Sequence, residues 1–91
     1  MNAKRRKELT KLNELLEQAH TTITNVVEQL ESLKDDERES FDALPEGLQQ
    51  ADRGQAMDEA ANALEEAYDT LSDIQSDLDN VKDKVSEAIE L

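Results

Sequence analysis

The chain has 91 residues, enough for one small domain, with 23 acidic against 10 basic side chains and a formal net charge of -13. A surface this negative repels DNA, RNA and anionic membranes and attracts basic protein surfaces. No apolar run exceeds two residues, which excludes a transmembrane helix and the apolar core of a signal peptide, and the absence of cysteine removes disulfides, thiolate nucleophiles and thiolate metal sites.

Low aromatic content and high charge lean toward disorder, but the apolar spacing opposes it. From residue 3 to 43, Leu9, Leu16, Ile23 and Leu30 recur as heptad position a, and Leu12, Ala19, Val26 and Leu33 as position d. Steps that alternate between three and four residues keep a stripe on one face of a helix. Leu15 at g and Val27 at e widen that stripe beyond a two-helix seam. It fails at Glu37 and resumes with Phe41 and Leu44, which with Leu48 are expected to plug the core near a turn.

Lys4-Arg5-Arg6-Lys7 and Lys11 put half of the basic residues in the first eleven positions. Positive charge at a helix N-terminus opposes the macrodipole. In an antiparallel hairpin these residues lie beside Asp83, Glu87 and Glu90, so local pairing or plain solvation is expected. His20, at e, has no second histidine or cysteine for company and reads as a half-exposed edge residue.

Residues 44–52 hold the only proline, Pro45, and one of the two glycines, Gly47; Gly54 follows closely. Pro45 ends the first helix and suits the first position of a short turn. Asp52 and Gln55 have the spacing of an N-cap and its capping-box partner. The tip residues Glu46, Gln49, Gln50 and Arg53 are expected to be exposed and form a secondary contact surface.

The second run, 53–90, has Met57, Leu64, Leu71, Leu78 and Val85 at a, and Ala60, Ala67, Ile74, Val81 and Ala88 at d, with Ala61, Tyr68 and Ile89 at e. From Asp52 to Leu91 there are twelve acids and three bases. Folding the chain near residue 48 sets Leu16 against Val81, Ile23 against Ile74, Leu30 against Ala67 and Leu33 against Leu64. The expectation is a single all-α domain over 1–91: a coiled-coil hairpin of two long antiparallel helices that dimerises into a four-helix bundle. A hairpin this small buries only one seam and gains from a second copy.

For chemistry, Glu14-x-x-Glu17, Glu28-x-x-Glu31 and Glu66-x-x-Asp69 resemble the carboxylate spacings with which all-helical nucleotide pyrophosphatases hold magnesium. All six fall at outer positions b, c or f, where they would not converge on one ion. There is no Gly-rich phosphate loop, no Ser/His/Asp set and no EF-hand spacing. No enzyme, cofactor or metal site is expected. Binding remains: Asp58, Glu65, Glu66, Asp69, Asp73 and Asp77 follow the outside of the second helix as an acidic rod suited to a basic protein partner. A solvated helix face is the plain alternative for the same residues.

In size, basic start, paired heptad runs and the tip L-P-E-G-L-Q-Q-A-D-R-G-Q-A, the chain resembles small acidic helical proteins encoded by bacteriophages and other mobile elements. That resemblance implies an inhibitor that blocks a nucleic-acid-binding site, a role that the acidic rod would fill as a DNA mimic. The lack of a membrane span and of cysteine gives the expectation of a cytoplasmic protein, in the host cell if phage-encoded. The competing class is a structural or assembly hairpin with no charge-based target.

Overall fold

A computed structural model describes all 91 residues of the chain. Helix α1 runs Ala3–Asp42, a single turn α2 runs Glu46–Gln49, and helix α3 runs Asp52–Glu90. There are no strands. The two long helices lie antiparallel as a rod with extents of 68 × 14 × 14 Å. No helix is long and apolar enough to cross a membrane.

Asn2 caps α1: its Oδ1 accepts from the Arg5 amide at 2.8 Å. This satisfies one of the orphan amides of the first turn in a turn that has bases and no acid to favour the dipole. None of Lys4, Arg5, Arg6 and Lys7 forms an ion pair with Asp83, Glu87 or Glu90. Of the two expected arrangements it is solvation rather than pairing that occurs there: Lys4, Arg5 and Lys7 are exposed.

The hairpin and its register follow the sequence closely, but the seam is rotated. Position a faces the other helix as expected, from Leu9, Leu16, Ile23 and Leu30 to Met57, Leu64, Leu71, Leu78 and Val85, all half-buried. The second row of the seam is e rather than d. Val27 and Ala61, both at e, are the buried apolar residues. Leu12, Val26 and Leu33 on α1, and Ile74 and Val81 on α3, all at d, stand exposed. The expected contacts of Leu16 with Val81, Ile23 with Ile74 and Leu33 with Leu64 therefore give way to contacts between a and e.

Polar bonds across the hairpin explain the rotation. Asn13 Nδ2 donates to Ser86 Oγ at 3.1 Å and Gln75 Nε2 to Thr24 Oγ1 at 2.8 Å. His20 Nε2 lies 2.9 Å from Asp79 Oδ1, a close polar approach that is poorly aligned for a hydrogen bond, and Lys82 pairs with Glu17. Each couples an e residue on one helix to a b residue on the other, and in all four the two residue numbers sum to 99. Near the tip Arg38 reaches Asp58 at 2.6 Å and Asn62 at 2.8 Å. Between them Lys34 Nζ sits 4.9 Å from the centroid of the Tyr68 ring, a cation–π contact. With d inside, these groups would leave the seam and lose their partners.

At the tip, Pro45 precedes α2 and its carbonyl accepts from the Leu48 and Gln49 amides. Phe41 and Leu44 are half-buried and close the end of the seam. Leu48 does not join them: it is 53% exposed, because a turn of four residues has one inward side and Gln49 takes it. Gln49 Nε2 donates to the Phe41 carbonyl at 3.2 Å, which also accepts from the Leu44 amide at 3.0 Å. Nor does Asp52 cap α3. The N-cap is Ala51, without a side-chain bond; Asp52 is the first helical residue, and Gln55 Nε2 donates to the Gln50 carbonyl instead. Asp52 still places a negative charge in the first turn, where the dipole favours it.

Candidate protein-interaction surfaces

The rotation of the seam gives the hairpin two unlike broad sides. One carries the cross-helix polar bonds at b and e. The other carries d and g. Apart from Met1, Leu48 and Leu91, every exposed large apolar side chain lies on this second side: Leu12, Leu15, Val26, Leu33, Ile74 and Val81. Two shallow apolar grooves run along it where α1 meets α3. Leu9, Val81, Val85 and Ala88 line the first; Leu30, Ala67, Leu71 and Ile74 line the second. Between Leu12 and Leu33 on α1 no d or g residue is charged, and between Ala60 and Val81 on α3 only Asp77 is, in a chain that is 36% charged.

The back of α3 is the third surface. Glu65, Glu66, Asp69, Asp73 and Asp77 are exposed and make no ion pair. Asp58 does not belong with them: it is half-buried and held by Arg38. Asp77, at g, turns away from the others toward the apolar side. The continuous acidic strip is thus Glu65, Glu66, Asp69 and Asp73. Of the tip residues, Glu46, Gln50 and Arg53 are exposed, whereas Gln49 is occupied in closing α1.

The charges of the hairpin do little to neutralise this strip. Five acids have basic partners: Glu17 with Lys82, Asp35 with Lys34, Asp58 with Arg38, Asp79 with His20 and Glu87 with Lys84. The other 18 of the 23 have none. The hydrogen bond and charge of Lys82 hold the Glu17 carboxyl below the usual carboxylate value. Asp58 raises the Arg38 guanidinium, and Asp35 raises the Lys34 ammonium, each first through its hydrogen bond.

The lowered value of Glu17 has a pH signature. Its contribution is fully present above the usual value of 4.5 and is lost as pH falls through the lower value of the folded state. Glu17→Gln therefore reduces the urea midpoint near pH 7, and the difference between the variant and the original chain closes as pH falls through the lowered value of Glu17. An undiminished difference in acid would show that Glu17 does not act as an ion.

The three carboxylate pairs with magnesium-like spacing stay apart. Glu14, Glu28, Glu31, Glu66 and Asp69 are exposed on the outer faces and Glu17 is engaged by Lys82. Nowhere do three acidic or histidine side chains converge as a ligand set. Sequence reading missed the polar ladder of Asn13, Thr24, Gln75 and Ser86 and the ion pairs of Lys82 and Arg38. Their signal was present: polar residues at e on one helix stand opposite hydrogen-bonding residues at b on the other. The chain matches no family model, no curated protein and no solved structure.

Proposed function

We propose that this is a non-enzymatic interaction protein that works as a homodimeric four-helix bundle and binds a basic surface of another protein through the acidic back of α3. The observation that carries this reading is the unpaired strip of Glu65, Glu66, Asp69 and Asp73 on a rigid helix. Glu65, Asp69 and Asp73 recur every four residues, which places their charges ~6 Å apart along the axis, close to the spacing of phosphates along a nucleic-acid strand. In its most concrete form the protein masks a nucleic-acid-binding surface, as the resemblance to small phage proteins implies. It does not bind nucleic acid itself, and it acts in the cytoplasm, that of the host if the chain is phage-encoded.

The exposed apolar d and g side supports a second reading, a structural or assembly hairpin whose contacts are apolar. Salt separates the two. A partner held by the acidic strip is released as ionic strength rises from ~0.05 to ~0.5 M, whereas an apolar contact persists. Replacing Glu65, Glu66, Asp69 and Asp73 together with glutamine keeps the helix and removes four charges. Capture of partners from the native host should then lose its salt-sensitive component. Unchanged capture by this variant would eliminate the acidic strip as the binding surface.

A further inference from the structure

The d and g side carries a single charge, Asp77, through its middle, and what covers it can be read from area and charge. A compact monomer of 10.2 kDa exposes roughly 5,300 Å², and this hairpin exposes 6581 Å². The excess of ~1,300 Å² exceeds the ~800 Å² per partner of a standard stable interface. Only Val27, Gly54 and Ala61 are buried, so the chain alone has almost no core.

Charge gives the direction. The open end, residues 1–11 with 88–91, has five bases and two acids; the tip end, residues 35–64, has nine acids and two bases. The hairpin is thus a rod with opposite charge at its two ends. Side by side with tips together, two copies would set nine acids against nine. Reversed, each basic start lies along the other's acidic tip.

We infer that the d and g side is covered by a second copy of this chain lying head to tail, α1 on α1 and α3 on α3. This rests on the dimer proposed above and adds its surface and its direction. With Leu15 opposite Val26 of the second copy, Ala19 falls opposite Thr22 and Arg5 opposite Asp36. On α3, Lys84 comes within reach of Asp77 of the second copy, so the one charge in the middle of the side gains an opposite partner. Glu8 and Arg53 stand at the outer ends of the strip. The arrangement leaves the back of α3, with Glu65, Glu66, Asp69 and Asp73, on the outside of the bundle twice.

The chain has no cysteine, so a single Glu39→Cys on the exposed tip half of α1 accepts one spin label per copy. Head-to-tail copies place the two labels about 50–60 Å apart, given 1.5 Å of rise per residue. Copies with tips together place them within ~30 Å, as helix axes in such bundles are 8–10 Å apart. A single distance near 55 Å, at a sedimentation mass twice that of one chain, is the expected result. A short distance would overturn the head-to-tail direction while leaving a dimer. A mass of one chain with no distance between labels would overturn the occupant itself. Neither result depends on the basic partner, whose own test is the salt and glutamine experiment.

Discussion

Gly54→Ala lowers the stability of the hairpin, and Gly47→Ala does not. Gly54 lies in the first turn of α3 beneath α2. A Cβ there would stand 2.3 Å from the Leu48 carbonyl oxygen, 2.5 Å from that of Gln49 and 2.6 Å from the Gln49 Cα. These are backbone atoms, so no rotamer change relieves the contact; the whole turn must lift. Its backbone is ordinary helix with negative φ, so the effect is steric rather than conformational. Overpacking of this kind costs typically 1–3 kcal/mol, and alanine returns ~1 kcal/mol of helix propensity. Contacts this short with main chain put the steric term at or above its upper end, for a net loss of about 2 kcal/mol and a fall in Tm on the order of 10 °C. Gly47 has nothing within 4 Å of a Cβ, so alanine there is neutral or raises stability by about 0.5–1 kcal/mol. Thermal melts of the two variants check the contrast. Equal effects would mean that α2 does not pack on α3 as described.

The larger effect is expected on association. Leu15 and Leu33 are 60% and 56% exposed in the hairpin. On a chain that stayed monomeric, glutamate at such sites would change stability by no more than ~0.5 kcal/mol. If a second copy covers them, the variant Leu15→Glu/Leu33→Glu buries four unpaired carboxylates per dimer. Even partial burial of an unpaired charge costs several kcal/mol, so Kd rises at least a hundredfold, equivalent to ~2.7 kcal/mol. The original chain should melt at a temperature that climbs with protein concentration, as a folded dimer requires. The variant should melt lower and without that dependence. A variant that melts like the original at every concentration would show that this side is bare in solution.

Much of this was legible in the sequence because it depends on local chemistry. Pro45 and the two interrupted heptad runs give a hairpin of two long helices, and the expected fold point near residue 48 lies one residue from the register of the cross-helix pairs. The outward carboxylates of α3 follow from their b, c and f positions. What was not legible depends on competition between contacts. A stripe that includes a, d and e is compatible with two seams, one through a and d and one through a and e. The choice turned on whether Asn13, His20, Gln75 and Lys82 found partners on the other helix, and composition alone does not weigh four such bonds against the methyl groups of Ala60, Ala67 and Ala88.

The same competition decided the smaller features. Asp58 was read with the acidic strip because position b lies on the outer side of the heptad pattern, yet Arg38 crosses from α1 to hold it. Gln49 was read as surface and is spent on the Phe41 carbonyl. Asp52 was read as a cap one position too late, a shift of the size at which helix ends commonly differ. Gly54 could be read from the sequence only as a place for close packing at the tip; that the packing partner is the backbone of a separate turn was not legible.

The rotated seam links the structure to the proposed function. By spending e and b on bonds within the hairpin, the chain leaves d and g open for the proposed second copy and the back of α3 facing outward. Sedimentation equilibrium of the unmodified chain across a wide range of concentrations tests that claim most directly. A mass approaching twice 10.2 kDa as concentration rises is the expected result. A mass of 10.2 kDa at every concentration, with the helices fully formed, would contradict it.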